Sequence, residues 1–286
     1  MSSTAKPPIV RAVLIGITGR MGQALLRSAP AFGELLITGA IASPKSLALG
    51  RDAGEVAGGG RMNLPIGSDL AAALGQADVA LDFSSPLATA ANLRACREAR
   101  KPLLIGTTGF GAELGAEIGA EIERAARDIP LLVAANTSIG IAVLTELVRS
   151  AAGRLPASFD IDVLEVHHRL KPDAPSGTAL ALGAAAAQAR GIEPPAGPDG
   201  PIGGRATARA GGRPEGQIDF ASVRAGDVIG EHTVLFSGTG EQLSLTHRAS
   251  DRAVFARGAL QAALWLVSRP PGRYSMSDFL GFKTNT

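Results

Sequence analysis

Five short apolar runs separated by stretches of helical period fill the first half of the chain, and this alternation restricts the possible folds more than any other feature. Residues 12–17, 35–41, 79–83, 103–105 and 131–135 have the length of strands. Residues 21–32, 87–100 and 113–127 are rich in Ala and Leu, with Glu and Arg gathered to one side, as in helices laid on a core. A strand–helix–strand series closes right-handed crossovers and gives a parallel sheet covered on both faces. Residues 43–68 are Gly-rich and weakly patterned, which predicts a long loop before a short strand near Pro65.

The pattern changes after Asn136. Residues 138–154 read as a helix, 159–168 as a longer strand, and 177–190 as an Ala-rich helix behind a turn with Pro172 and Pro175. Residues 191–216 are rich in Gly and Pro without an apolar period, and are expected to form an exposed, mobile loop. The runs 217–224, 231–237 and 241–247 alternate apolar and polar residues and are expected to pair as an antiparallel sheet. A last helix, 252–267, carries Phe255, Leu260, Leu264 and Trp265 and is expected to return to the first domain. The fold class is therefore α/β: a Rossmann-like doubly wound parallel sheet plus a smaller α+β domain with a mostly antiparallel sheet.

Composition narrows the function. Of 286 residues 45% are hydrophobic but only 4% aromatic, so the core must be built from Ala, Leu, Val and Ile. The 28 basic and 26 acidic residues nearly balance and form no Lys/Arg run, which argues against a nucleic-acid partner. Cys96 is the single cysteine, so there is no internal disulfide and no CxxC metal pair, and a reducing compartment fits. It is expected inside the helix after Pro86, as a small core residue. Residues 1–8 are short and polar without a signal-peptide apolar block, and the longest apolar runs are strand-sized, so no membrane span is expected.

Gly16-Ile17-Thr18-Gly19-Arg20-Met21-Gly22 follows the first strand and opens a helix. Glycine permits positive φ and close approach of backbone N–H groups to a pyrophosphate, and the helix N-terminus adds partial positive charge. The spacing is GxxGxxG, with Thr18 where a middle glycine is usual. Such a turn can be only a tight corner; its place after the first strand of an α/β chain favours dinucleotide binding. The second strand ends Ala40-Ile41-Ala42-Ser43-Pro44-Lys45, with no carboxylate for ribose hydroxyls. That leaves room for a 2′-phosphate near Ser43 and Lys45. Gly106-Thr107-Thr108-Gly109 and Ala134-Ala135-Asn136 follow later strands, at the sheet edge where such folds bind ligands, although each reads singly as an ordinary loop.

The most informative stretch runs from Glu165 through His167, His168, Arg169, Lys171 and Asp173 to Ser176-Gly177-Thr178. Adjacent strand residues point to opposite faces, so His167 and His168 share a pocket only if the chain turns between them. No third His or Cys is near in sequence, so a metal site is not expected. One reading is an acid/base pair beside an anion pocket: histidine passes protons near neutral pH, Lys171 donates a proton or holds a carboxylate, and the Gly177 and Thr178 N–H groups with the Ser176 and Thr178 hydroxyls cradle an anion. The other is a polar loop with Ser176 as a helix N-cap.

This stretch, E-x-HHR-x-K-x-DAPSGTAL at residues 165–180, resembles the signature of the 4-hydroxy-tetrahydrodipicolinate reductases. Similar segments follow the family's order over nearly the whole chain: GxxGRMG from Gly16, Asp82-Phe83, IGTTGF from Ile105, AAN from Ala134, RAGDVIGEHTV from Arg224, THxAS from Thr246 and FARGALQAALWL from Phe255. The resemblance implies a dinucleotide-binding domain at 1–136, completed by 250–286, and a substrate-binding and oligomerisation domain at 137–249, with hinges near Asn136 and Ser250. It implies a cytoplasmic homotetramer of lysine and diaminopimelate biosynthesis that acts on a small-molecule dicarboxylate. NADH or NADPH would deliver hydride to a dehydrated cyclic imine, and protonation of the resulting enamine would give tetrahydrodipicolinate. By resemblance His167 is the proton donor/acceptor and Lys171 the second donor. His168, Ser176, Gly177 and Thr178 bind substrate. Gly16, Ile17, Thr18, Gly19, Arg20, Met21, Ala42, Ser43, Gly106, Thr107, Thr108, Ala134, Ala135, Asn136 and Thr137 line the cofactor. The chain departs from the family at Ala42-Ser43, where some members have Glu-Arg, and at Thr137, where Phe is usual. A homoserine or aspartate dehydrogenase, or a non-catalytic dinucleotide-binding sensor, would explain the glycines but not residues 167–178.

Overall fold

The computed structural model describes residues 8–110, 112–193, 213 and 217–282, with the backbone alone at 112 and 113. The polar stretch before residue 8 and most of the expected mobile loop, at 194–212 and 214–216, lie outside the described residues. The chain divides into two units, Met1–Ser138 with Ala253–Thr286, and Ile139–Arg252.

The first unit runs β1 (Val10–Ile15), α1 (Arg20–Ser28), β2 (Leu35–Ile41), α2 (Ala53–Ala57), β3 (Ile66–Gly67), α3 (Leu70–Leu74), β4 (Val79–Asp82), α4 (Pro86–Glu98), β5 (Leu103–Ile105), α5 (Ala112–Ala125) and β6 (Pro130–Val133). Its sheet has the order β11-β6-β5-β4-β1-β2-β3 and every pair is parallel, where β11 (Gly272–Tyr274) comes from the C-terminal part of the chain. On one side Val13, Ile15, Leu103, Ile105 and Leu131 of the strands pack with Leu93 and Cys96 of α4 and Ile118 and Ile122 of α5. Each such aliphatic side chain contributes roughly 1.5–3 kcal/mol when fully buried. Burial also pushes the Cys96 thiol pKa up, so it stays protonated and acts as a small hydrophobe. After the second unit, α8 (Ala253–Leu266) packs beside α1 against β4 and β5, and α9 (Met276–Phe279) follows β11.

The region 43–68, expected to be a loop, is more ordered than its composition suggests. Asp52 caps α2 by accepting from Glu55 N at 3.1 Å, and the same carboxylate accepts from Met62 N and Leu64 N at 3.0 Å each. One side chain thus ties three backbone donors together in a segment without hydrophobic period.

The second unit contains α6 (Ile139–Ala152), β7 (Asp160–His167), α7 (Gly177–Arg190), β8 (Ile218–Arg224), β9 (Gly230–Gly238) and β10 (Glu241–Ala249), with sheet order β10-β9-β7-β8. β7–β9 and β9–β10 are antiparallel, but β7–β8 is parallel, which corrects the expectation that 217–224 joins the antiparallel series. The chain returns through α7, a crossover that sets β8 in the direction of β7. The connection from β8 to β9 then crosses the end of β7, where Ala225 N donates to His167 O at 2.8 Å and Arg169 N to Gly226 O at 3.1 Å. Along β7, Ile161, Val163, Glu165 and His167 are buried on one face. The first two join Val234 and Phe236 of β9, Ile218 and Phe220 of β8, Leu144 and Val148 of α6, and Leu182 and Ala186 of α7 in a core. The last two carry charge and proton chemistry into the same buried face.

Candidate active site

The strand order of the first unit reverses between β1 and β4, and there a cleft of about 330 Å³ opens. Its lining includes Gly16, Thr18 and Gly19 after β1, Ala42, Ser43 and Pro44 after β2, and Phe83, Ser84 and Ser85 after β4. Doubly wound sheets bind dinucleotides at this switch point because the adjoining crossovers leave on opposite sides. Two glycines are dictated by contact. At Gly16, φ is +90° and a Cβ would lie 2.7 Å from Ser84 Cα; at Gly22 a Cβ would lie 2.7 Å from Ile17 Cα, so helix and turn touch backbone to backbone. Gly19 caps α1 without a side-chain hydrogen bond.

Not every residue assigned to this cleft reaches it. The Ile17 side chain is fully buried, and the Gly16 and Ile17 N–H groups both donate to Ile41 O, at 2.8 and 3.1 Å. Arg20, exposed, and Met21, half-buried, open α1 without lining the cleft. Lys45 is exposed and also outside the lining. Gly106, Thr107 and Thr108 follow β5; Thr107 is buried, its hydroxyl donating to Asp82 O at 3.2 Å, while Thr108 is exposed. Ala134, Ala135, Asn136 and Thr137 follow β6. Asn136 Oδ1 accepts from Ser138 N at 2.9 Å, and the buried Thr137 hydroxyl donates to Phe255 O at 2.7 Å. Ile17, Thr107 and Thr137 therefore serve the packing of the unit with their side chains. The lining residues Ser84 and Asn92 were not anticipated; they converge on the buried Asp82 carboxylate, which accepts from Ser84 N at 2.9 Å and Asn92 Nδ2 at 3.1 Å. Asp82-Phe83 was their only signal in the sequence.

In the second unit β7 ends at His167, and Lys171 N donates to His168 O at 3.1 Å as the chain turns. The alternation that would separate the two histidines thus stops between them. His167 Nδ1 pairs with Glu165 Oε2, the two side chains sharing a face because they are two residues apart on a strand. The Glu165 side chain has no solvent exposure, and Arg224 grips it in bidentate fashion, Nη1 to Oε2 at 2.9 Å and Nη2 to Oε1 at 2.8 Å. Burial pushes the Glu165 pKa up, but the hydrogen bonds from His167 and Arg224 outweigh it and hold the value at about 2. Arg224 also donates to the carbonyls of Lys171 at 3.2 Å and of Asp173, so it fastens the turn to the sheet.

Lys171 Nζ lies 2.8 Å from Asp173 Oδ2. Burial alone would raise the Asp173 pKa, but the Lys171 ammonium outweighs it and holds the carboxyl below its usual range. Ser176 is 2% exposed; its hydroxyl accepts from Ala179 N at 3.1 Å and lies 3.0 Å from His232 Nε2. The side chain expected to bind substrate is thus committed to the α7 cap and to His232. Gly177 is exposed and Thr178 half-buried in the first turn of α7. A Cβ at Gly177 would meet nothing within 4 Å, and its φ is not positive, so glycine is not required there by backbone angle. His232 was missed, as were Glu165 and Arg224 as functional partners. The His232 and His167 rings meet edge to face with centroids 5.0 Å apart, and burial, reinforced by the His167 charge, brings the His232 pKa down to about 4.

A doubly wound sheet with a Gly-lined cleft at its switch point, together with a second sheet holding a buried Glu–His pair, defines the class as a Rossmann-type oxidoreductase. Comparison with known proteins narrows it. Residues 10–137 match the family described as Dihydrodipicolinate reductase, N-terminus, and 140–280 match Dihydrodipicolinate reductase, C-terminus. The 4-hydroxy-tetrahydrodipicolinate reductase of Beijerinckia indica subsp. indica is 45% identical over 95% of this chain and 97% of its own, and that of Alkalilimnicola ehrlichii is 46% identical over 95% and 98%. A dipicolinate-bound dihydrodipicolinate reductase from Paenisporosarcina sp. TG-14 shares the fold, with a TM-score of 0.71 at 23% identity, covering 93% of this chain and 97% of that one. The chain belongs to the dihydrodipicolinate reductase family.

Proposed function

We propose that this chain reduces 4-hydroxy-tetrahydrodipicolinate, through its dehydrated cyclic imine, to tetrahydrodipicolinate in lysine and diaminopimelate biosynthesis, using NADH or NADPH, with His167 as the proton donor. The observation that carries the assignment of His167 is its place at the end of β7, paired with the buried Glu165 carboxylate, in the turn that also holds Lys171 and leads into α7.

The first unit fits a dinucleotide on structural grounds: the switch-point cleft, the backbone contact at Gly16 and Gly22, and the α1 N-terminus without a side-chain cap. With the Gly16 and Ile17 N–H groups spent on β2, the pyrophosphate falls to the Thr18 backbone and the α1 N-terminus at Gly19, both at the cleft lining, and the adenosine ribose to Ala42 and Ser43. When bound, reduced nicotinamide supplies the hydride.

The chain's own residues supply the rest. The His167 imidazole holds a proton and passes it to the reduced ring, as a positioned general acid does. Lys171 offers a positive point charge to a substrate carboxylate and is the second proton source, with Asp173 as its partner until substrate competes for the ammonium. The Gly177 and Thr178 N–H groups at the start of α7 meet the second carboxylate, and His168 adds a donor. Two exposed apolar residues on the outer face of the second unit's sheet, Leu164 at 36% and Val223 at 51%, support a homotetramer assembled through that sheet. Among the described residues no helix is long and apolar enough to cross a membrane.

The test is His167→Gln. It is expected to lower kcat by roughly 10²–10⁴-fold, the usual worth of a positioned acid, with the affinity for reduced cofactor unchanged. Wild-type turnover in this variant, or an equal loss of cofactor binding, would refute the assignment.

A further inference from the structure

Among the described residues Glu165 is the one carboxylate that contacts the proposed proton donor, and it sits where no substrate can reach it, its side chain wholly without solvent exposure. Its oxygens are shared among three donors. Arg224 takes both, His167 Nδ1 takes Oε2, and Ser176 N reaches Oε1 at 3.3 Å. An ionised carboxylate is an acceptor only, so the nitrogen that faces it must carry the hydrogen. The low Glu165 pKa, about 2, keeps it ionised at any working pH. Arg224 cannot easily leave, because the backbone carbonyls of Lys171, Asp173 and Val223 hold its guanidinium as well. At the other nitrogen the ring borders Gly230, which brings no side chain: a Cβ there would stand 3.0 Å from Nε2. The His232 ring on β9 meets the His167 ring edge to face, and His247, opposite His232 on β10, and Lys171 in the turn bear on His232.

We infer that Glu165, clamped by Arg224, is a positioning residue for the reaction: it fixes His167 with Nδ1 protonated and turned inward, so that Nε2 is the nitrogen that exchanges a proton with substrate. This rests on the reading of His167 as the proton donor. A buried ion pair contributes little net stability compared with apolar residues of the same volume; what it adds here is orientation of a ring and choice of a tautomer. Removing the charge of such a carboxylate leaves the geometry but lets the imidazole take the wrong tautomer. In Glu165→Gln the amide oxygen would turn to Arg224, the amide N–H₂ would face Nδ1, and the proton would move to Nε2.

The experiment combines kinetics with ¹⁵N NMR of the imidazoles in histidine-labelled full-length protein, at a pH where His167 is neutral. The wild type should show His167 with Nδ1 protonated. Glu165→Gln should show it with Nε2 protonated and should lose roughly 10–100-fold in kcat, the usual worth of an orienting partner, with KM for the reduced cofactor unchanged. Arg224→Lys, which keeps the charge but not the two-pronged grip, should fall between, and it provides the same tautomer readout should Glu165→Gln not fold. In a His167→Gln background, adding Glu165→Gln should cause no further loss, because the carboxylate acts through the ring. Wild-type tautomer and kcat in both Glu165→Gln and Arg224→Lys, or losses that multiply in the double variant, would overturn the inference while leaving His167 as donor. Full activity in His167→Gln would instead overturn the reading on which it rests.

Discussion

Replacing His232 by Gln should make the second unit resistant to mild acid. His232 is 3% exposed, and burial together with the nearby His167 charge lowers its pKa from 6.5 to about 4. The other ionisable groups that bear on it are Glu165, His247 and Lys171. Between these two pH values the unfolded chain binds a proton at residue 232 and the folded chain does not. The stability contributed by the neutral imidazole is therefore complete above pH 6.5 and is lost as pH falls through the folded value. At about 1.4 kcal/mol per pKa unit, the loss amounts to about 3 kcal/mol. Glu165, depressed from 4.5 to about 2, loses its contribution at lower pH, and His247, whose pKa burial also lowers, adds the same in both proteins, so the difference between them in the upper part of the window belongs to His232. Gln offers an amide to the Ser176 hydroxyl but no titrating proton. Trp265, the only tryptophan, lies in the first unit. The assay is accordingly amide hydrogen exchange in β7 and β9, compared as protection free energies between about pH 7 and pH 4. The wild type should lose about 3 kcal/mol across that range, and His232→Gln should lose correspondingly less. Parallel curves for the two proteins would show that His232 is not held neutral by its burial.

Gly22→Ala should abolish dinucleotide binding in calorimetric titration and destabilise the first unit by about 1–3 kcal/mol, since the added methyl collides with backbone rather than with a movable side chain; retained binding would show that the turn can open. NADPH should serve at least as well as NADH, because Ala42 and Ser43 place no carboxylate beside the cleft, and Ser43→Glu should raise KM for NADPH alone. Equal KM changes for both cofactors would place the 2′-position elsewhere. Gly177→Ala should leave stability intact, as the space is open and φ is ordinary, yet weaken competitive inhibition by pyridine-2,6-dicarboxylate. Thr178→Val should weaken the same inhibition by about 1–3 kcal/mol, the cost of leaving a charged group short of one hydrogen bond. Unaltered inhibition in both would remove the α7 N-terminus from the substrate site.

Periodicity and motif order were sufficient for the large features of this protein. The strand–helix alternation of the first half announces a parallel sheet because buried parallel strands are short apolar runs and their crossovers are helices. The Gly16–Gly22 spacing marks the tight turn, and residues 165–180 mark the family, since both are local patterns in which neighbours in sequence are neighbours in space. The helix over residues 177–190 could be read directly from its Ala content and the Ser176 cap.

Other features depended on residues distant in sequence. An alternating run looks the same in parallel and antiparallel pairing, so the direction of β8 was decided by the α7 crossover and not by its own residues. The strands β3 and β11 are too short to show a period, and exist because a neighbouring strand offers an edge. Asp52 organises residues 52–64 through hydrogen bonds to backbone groups, which no side-chain pattern reports. Most of all, the partners of His167 came from elsewhere. Glu165 is two residues away, but Arg224 is 59 residues from Glu165 and His232 is 56 from Ser176. Residue type suggested which side chains could move a proton. Only the sheet order, by bringing β8 and β9 to either side of β7, decided which carboxylate is buried against which imidazole, and the Arg224 grip from β8 helps keep that carboxylate ionised.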